Sequence, residues 1–387
     1  MTVTELTTEP RVARLAGVDL ARGLAVFGMF GAHVGPDPSV GGVTGALMEV
    51  VQGRSSVLFA TLAGLSLAIM SGRREPLTGG PWRRAAGRIA IRGVILLLFG
   101  TALTMTGTSV AVILAYYGVY FLLALPCTRL RAPALAVLAA VTAIAGPVLS
   151  LVVRGALDRS GWGDLITAHD PVEAIGGEGV LRLLFTGTYP AVTWLPFVFA
   201  GMALGRIDLA ATANRIRLAI TGPALAVLGY GGSRLATHLV GVPDPLDPKD
   251  KSGWPDLESP LWLLDSSPHS GTPFEIAGSV GVAITVLVLA LVVTEKLSGY
   301  RSWFWRPVAA VGSMSLTAYT GHVIAIGVFG LDAAQGPPLP VLLGFIGGAV
   351  VFALVWSRFF RRGPLEFLVH TATKLAGSDV RSARRYP

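Results

Sequence analysis

The stretch Arg14-Leu-Ala-Gly-Val-Asp19-Leu-Ala-Arg22-Gly-Leu-Ala-Val-Phe-Gly-Met-Phe-Gly-Ala-His33 decides how this chain is read. It is long and apolar enough to cross a bilayer as one helix, yet it carries a carboxylate, a guanidinium and an imidazole. Ionisable groups are costly in lipid, so a spanning segment that keeps them marks a functional site by default. Arg22 and His33 are eleven residues apart, about three helical turns, which puts them on one face and about 16 Å apart along the axis. One helix thus offers a polar group near each side of the membrane.

Outward from this helix the chain stays apolar. Of its 387 residues 52% are hydrophobic and 14% charged, and the mean hydropathy is +0.63, too apolar for a soluble domain of this length. The expected fold class is all-α, a single polytopic membrane domain over 1–387. Runs of about 20 apolar residues recur ten times, over 16–35, 55–71, 89–106, 108–126, 132–153, 187–205, 216–238, 274–294, 308–330 and 338–357. Between and around them lie a tail over 1–13, longer loops over 154–186 and 239–273, and a tail over 358–387. The second loop, rich in Pro, Asp and Ser, has too few apolar residues for a core of its own. Asp19 and Arg22 interrupt the first run and no small-x-small cleavage site follows it, so it reads as a retained helix rather than a signal peptide.

With the N-terminus inside, 24 of the 31 basic residues fall on inner segments, which places both termini in the cytoplasm. Acidic residues gather on the outer side, among them Asp158, Asp170, Glu173, Glu178, Asp265 and Glu275. The net charge of +8 is therefore a basic inner rim facing anionic lipid, not a nucleic-acid footprint. Membrane lipids are the expected surroundings, and homo-oligomerisation is left open. Arginine outnumbers lysine 27 to 4, a bias of high-GC bacterial genomes, so the expected location is a bacterial cytoplasmic membrane. Cys127, the sole cysteine, forms no internal disulfide.

His33 and His322 lie fourteen to fifteen residues from the inner ends of their helices, hence at similar depth in the outer third of the bilayer and within reach of one cavity. Of the six histidines only His370 is on the inner side. Imidazole is the usual general base near neutral pH, so the outward cluster suggests proton transfer at an outer site, with His33 the first candidate. The alternative is that each histidine only ties helices together. In Ser315-Leu-Thr317-Ala-Tyr319-Thr-Gly-His322 the hydroxyls read as packing surface, and Tyr319 and His322 as lining of a polar cavity. Arg54, His269 and Glu275 could hold a polar acceptor, and Glu275 could orient a histidine or serve only as an acid at a helix N-terminus. Tyr189 and Trp194 read as an interface anchor, with sugar stacking the alternative. Arg84, Arg88 and Arg92 recur at i, i+4, i+8, a stripe for phosphate, whether lipid headgroup or nucleotide. Walker, HExxH, paired-cysteine and G-x-S-x-G motifs are missing, and no metal is expected.

Arg14-Leu-x-x-Val-Asp19-x-x-Arg22-Gly23-Leu-Ala and Gly53-Arg54-Ser-Ser-x-Leu-Phe59-Ala-x-Leu-Ala-Gly64 resemble the bacterial relatives of heparan-alpha-glucosaminide N-acetyltransferase. Gly187-Thr-Tyr189-Pro190-x-x-Thr-Trp194, Gly312-Ser-Met-Ser-Leu-Thr317-x-Tyr319 and Gly363-Pro364-Leu365-Glu366 resemble a bacterial membrane family often joined to that domain. The resemblance implies a multi-helix fold that moves an acyl group, usually acetyl, from cytoplasmic acyl-CoA to an amine or hydroxyl of an extracytoplasmic saccharide or glycolipid. It also implies that Asp19 and Arg22, with Arg84 and Arg88, hold acetyl-CoA or another acyl-CoA, and that His33 acts at the far end of the same helix. His322, Tyr319 and Glu275 would line the acceptor side. Direct transfer needs acceptor and thioester within about 3.5 Å, so His33 is expected to border a cavity open to both faces. A transporter or flippase that uses the same buried charges as a path is the alternative, and a non-catalytic membrane partner the third reading.

Overall fold

In the computed structural model the described residues are 9–241, 260–332 and 336–382. The centre of the loop expected over 239–273, the first eight residues and the last five lie outside them. Among the described residues the chain is all helical. In order the helices are α1 (Glu9–Val34), α2 (Gly42–Val51), α3 (Arg54–Met70), α4 (Gly79–Thr104), α5 (Leu114–Leu123), α6 (Ala132–Ser160), α7 (Trp162–His169), α8 (Pro171–Ala174), α9 (Ala191–Arg206), α10 (Thr212–Ala226), α11 (Gly232–Val240), α12 (Pro273–Lys296), α13 (Arg306–Ser313), α14 (Ser315–Phe329), α15 (Leu339–Phe359) and α16 (Pro364–Ser382).

This is a multi-pass membrane protein, but by length and composition fewer segments qualify as spans than the ten apolar runs. Five stretches pass, namely Gly42–Met70, Gly79–Thr104, Ala132–Ser160, Pro273–Lys296 and Leu339–Phe359, and the pair α13 and α14 makes a sixth if it is one broken span. The run expected over 308–330 is bent by 85° between Ser313 and Ser315. That over 108–126 is helical only from Leu114, and α9 is sixteen residues long. α10 continues through a wide turn at Val227–Gly231 into α11. The expected loop 154–186 is largely helical: α6 runs on to Ser160, ends at Gly161 in the left-handed region (φ 68°) and is followed by α7 and α8. Polar residues alone do not stop a helix; a residue able to take that conformation does.

α1 is the central helix. Its first half, with Val18, Leu20, Ala21 and Ala25, belongs to one hydrophobic cluster together with α12. Its second half, with Val26, Met29, Phe30 and Val34, belongs to a larger one that draws in α5, α9 and α14. α1 also lies directly against α13: a Cβ on Gly312 would strike the Asp19 carbonyl, and one on Gly23 would strike the Val308 carbonyl. The glycine after Arg22 is thus a contact point between two helices, the usual use of small residues in membranes.

Two helix starts position the site. α12 opens on Thr272-Pro273-Phe-Glu275, where Thr272 Oγ1 accepts from the Glu275 N–H at 3.1 Å and proline fills the first turn, where its missing N–H costs nothing. α14 opens at the bend, and its free N–H groups are taken up by a carboxylate from α16. Glu366 Oε1 accepts from Leu316 N (2.7 Å) and Thr317 N (3.2 Å), and Oε2 accepts from Thr317 Oγ1 (2.6 Å). A negative charge at a helix N-terminus is favourable through both the hydrogen bonds and the helix dipole. The bend is therefore a capped helix start held by the C-terminal helix.

Candidate active site

His33, near the end of α1, meets His322, in the middle of α14. His33 Nδ1 lies 2.9 Å from His322 Nε2. The rings are within 10° of parallel with centroids 5.2 Å apart, the separation expected for coplanar rings joined end to end by one hydrogen bond. His322 is only 3% exposed, whereas His33 is half-buried. His322 packs against Phe30 (4.7 Å between centroids) and against the edge of Tyr319 (5.0 Å). Its Nδ1 makes no hydrogen bond, the carbonyls of Ala318 and Tyr319 in its own preceding turn being close by but not bonded.

One nitrogen of the pair must donate and the other accept, so the proton order is fixed in one of two ways. If His33 donates, the free lone pair is on His33 Nε2; if His322 donates, it is on His322 Nδ1. Both orders leave one imidazole lone pair for a substrate proton and a second ring that steadies the charge once the proton has been taken.

The opposite end of the same α1 face is cationic. Arg22 donates to Asp19 Oδ1 (2.9 Å) and to Ser66 Oγ of α3 (2.7 Å). Arg92 of α4 turns inward, within electrostatic reach of Arg22 and Glu366, and touches the Met70 sulfur. Arg92, Arg88, Arg362 and Lys374 all lie within electrostatic reach of His370. His370 on α16 shares this neighbourhood, and partial burial and then the charges of Arg362, Lys374, Arg92 and Arg88 hold its pKa below the usual value. Four cations and an imidazole thus gather where α16 packs on α4, the kind of cluster to which phosphate groups are attracted. Arg84 and Arg88 are exposed, so of the i, i+4, i+8 stripe it is Arg92 that joins Arg22. Helical spacing placed the stripe on one face; the packing of α16 on α4 decided which member points in.

The cavity expected to run from Arg22 to His33 along α1 is filled at its middle. Ala25, Val26 and Met29, which follow Arg22 on that face, are buried in the two cores. Open space lies one helix away. A cavity of about 670 Å³ follows α14 from Met314 and Thr317 past His322 to Phe329 and Leu331, and is walled on the other side by α15.

The remaining candidates fall into three groups. Arg54 and Glu275 belong to one chain of hydrogen bonds: Arg54 Nε donates to Tyr230 OH (3.0 Å), that hydroxyl pairs with Ser279 Oγ (3.0 Å), and Ser279 Oγ donates to Glu275 Oε1 (3.3 Å). Arg54 also stacks on the Tyr230 ring. The hydrogen bond to Glu275 thus comes from Ser279, not from a histidine. Tyr230, which links the two, carried no signal in the sequence.

Tyr189 and Trp194 are core residues rather than an interface anchor, 5% and 2% exposed. They enclose His269, whose ring stacks on Trp194 and meets Tyr189 edge-on. His269 has a left-handed backbone (φ 65°), its Nδ1 lacks a hydrogen-bond partner, and burial pushes its pKa down to about 4. The gap beside it is about 10 Å³, room for one water at most, so no sugar stacks there in this conformation. His269 lies close enough to His33 for their charges to interact. Tyr319 OH accepts from the Ile113 N–H at 3.2 Å and so braces His322 rather than opening into a cavity.

A second cavity, of about 650 Å³, is lined by Glu173, Glu178, Arg182 and several threonines. Arg182 pairs with Glu178 at 2.6 Å and approaches Glu173 at 3.8 Å. Nothing in the spacing of these residues announced the cavity, because the helical turns α7 and α8 bring them together.

Residues 14–241 match the family described as heparan-alpha-glucosaminide N-acetyltransferase, catalytic. That is well over half of the chain. The chain belongs to the heparan-alpha-glucosaminide N-acetyltransferase family. Residues 260–376 match a second family, described only as a protein of unknown function, DUF418, and no curated protein matches the chain. The histidine pair bridges the two matched regions: His33 lies in the acetyltransferase region and His322 in the region of unknown function. Arg22 and Arg92 belong to the first, and Glu366, His370 and Lys374 to the second. Each end of the site is completed by both parts.

Proposed function

We propose that this protein is a membrane-embedded acyltransferase that moves an acyl group, acetyl in the first instance, from cytoplasmic acyl-CoA to an amine or hydroxyl of an extracytoplasmic saccharide or glycolipid. The observation that carries the reading is the hydrogen-bonded pair His33–His322, at the far end of the helix whose near end holds Arg22, in a chain of this family. The finer topology belongs to the same proposal. The chain crosses a bacterial inner membrane about ten times, the five spans of sufficient length being joined by the broken pair α13 and α14 and by α1, α5, α9 and α10 with α11, and both termini are cytoplasmic, in keeping with the positive-inside rule.

In this reading Arg22, Arg92, Arg88, Arg362 and Lys374 bind the CoA phosphates as substrate at the inner mouth. The acceptor amine or hydroxyl attacks the thioester carbon: a C–N or C–O bond forms, the C–S bond breaks, and CoA leaves as thiolate. The acceptor proton passes to the free lone pair of the histidine pair, His33 Nε2 or His322 Nδ1 according to which ring donates to the other, and is then returned to the thiolate, which balances the step. A positioned base of this kind contributes about 10²- to 10⁴-fold.

The test is acetyl-CoA binding to the detergent-purified full chain by calorimetry, with ADP as competitor and Arg22→Ala as comparison. Saturable binding that ADP displaces and Arg22→Ala weakens about tenfold or more, the loss of one charge-assisted phosphate contact of ~1.5–3 kcal/mol, is the expected result. Absence of binding to acetyl-CoA and to longer acyl-CoAs refutes the reading and favours transport.

A further inference from the structure

The cavity along α14 differs in kind from both ends of the site. Of its lining residues only Thr317 and His322 have polar side chains, and Thr317 is committed, donating to Glu366 and accepting from the Leu365 N–H at 3.1 Å. The rest is hydrocarbon, with Phe30 of α1, Ala325 of α14, and Phe345 and Phe352 of α15 prominent. A pantetheine arm has two amides that this surface leaves unpaired, which is costly in a dry groove. An alkyl or isoprenoid chain has none. From Met314 to Phe329 the groove follows fifteen residues of helix, about 22 Å, a large part of the ~30 Å hydrocarbon core.

The groove is open by construction. Small residues in membrane helices usually let backbones touch, as Gly23 and Gly312 do. Gly321, Gly344 and Gly348 line this groove instead, and a Cβ on any of them would meet nothing within 4 Å. α15 packs on α13 and α1, and its glycines leave the side towards α14 empty. An independent observation says what comes there. His322 lines the groove, is 3% exposed and has an Nδ1 without a hydrogen bond. A buried imidazole nitrogen left unsatisfied is costly, and ordinary acyl chains cannot relieve it. A molecule with a hydrocarbon chain in the groove and a hydroxyl or amine at its head can.

We infer that the groove between α14 and α15 holds the hydrocarbon chain of a lipid-linked acceptor, presenting its headgroup hydroxyl or amine to the His33–His322 pair. The inference rests on the acyltransferase reading and narrows its acceptor from saccharides in general to glycolipids. The acceptor then enters sideways from the membrane, and the donor comes from the basic mouth at the other end of α1.

The test uses the full chain in lipid nanodiscs with acetyl-CoA and two acceptors, glucosamine and dodecyl β-D-glucosaminide. Wild type is compared with Gly344→Leu/Gly348→Leu, whose added side chains fill the groove, and retained acetyl-CoA binding shows that the variant folds. The expected result is a KM for the dodecyl acceptor at least tenfold below that for glucosamine, and an increase of tenfold or more in the variant. Equal KM values in the wild type, or a dodecyl KM unchanged by the leucines, overturn the inference while leaving the acyltransferase reading intact. A diazirine-bearing dodecyl glucosaminide supplies a readout that needs no turnover. Photolabel on α14 and α15 peptides, displaced by unlabelled dodecyl glucosaminide but not by glucosamine, supports the groove assignment even where neither acceptor is acetylated, a result that would refute the transfer reading alone. Label that is absent from these peptides or is not displaced overturns the groove assignment.

Discussion

Replacing His33 by glutamine and by alanine separates two tasks that this side chain performs at once. In the structure His33 Nδ1 satisfies the Nε2 of a histidine that is 3% exposed. His33→Ala removes that hydrogen bond and strands a buried nitrogen, a cost of ~1–3 kcal/mol. Its expected destabilisation is therefore about 2 kcal/mol, seen as a melting temperature lower by several degrees. His33→Gln keeps an amide that can donate or accept towards His322, and its loss should stay within about 1 kcal/mol. Both variants break the imidazole pair that takes up the acceptor proton, so both should lose about 10²- to 10⁴-fold in kcat, or ~3–5 kcal/mol of barrier. The assays are thermal unfolding in detergent and acetyl transfer at saturating acetyl-CoA. A His33→Gln protein that folds like wild type and turns over within about threefold of it would refute the base assignment. One that melts as low as His33→Ala would refute the account of the pair as a satisfied hydrogen bond.

Two other outcomes follow from the same geometry. His269 is neutral when folded because burial lowers its pKa to about 4, whereas an unfolded histidine titrates near pH ~6.5. Above pH ~6.5 neither state binds the proton and stability is unaffected; as the pH falls towards ~4 the unfolded chain takes it up first, and stability drops by up to about 3 kcal/mol before levelling off. The stability of wild type relative to His269→Gln should therefore fall by up to about 3 kcal/mol as the pH drops from ~6.5 to ~4, and parallel melting curves across that window would contradict the assignment. Gly312→Ala should prevent α13 from seating on α1, because the added methyl meets the Asp19 carbonyl backbone. A cost of ~3 kcal/mol or more and loss of acetyl-CoA binding are expected, read by melting and calorimetry, and a variant that melts like wild type would show that α1 and α13 are less tightly apposed.

The sequence by itself determined the class of the molecule and the chemistry-bearing residues of α1. Apolar runs, charge content and the acid, guanidinium and imidazole of α1 follow from transfer free energies, which depend on residue type and not on neighbours. The equal depth of His33 and His322 was legible for the same reason, since a helix converts residue number into distance. What the sequence could not give was which helices touch and where. That His322 closes on His33, that Arg92 rather than Arg84 or Arg88 turns towards Arg22, and that Glu366 caps the break before α14 are contacts between elements tens to hundreds of residues apart. Tyr189 and Trp194 looked like interface anchors because aromatic residues near a span end favour that position; the packing of α9 against α5 and His269 buried them instead. The groove beside α14 belongs wholly to the tertiary structure. Glycines that in sequence resemble a packing motif line open space, because α15 is held by α13 and α1, and residue type alone does not record the distance at which a helix is held.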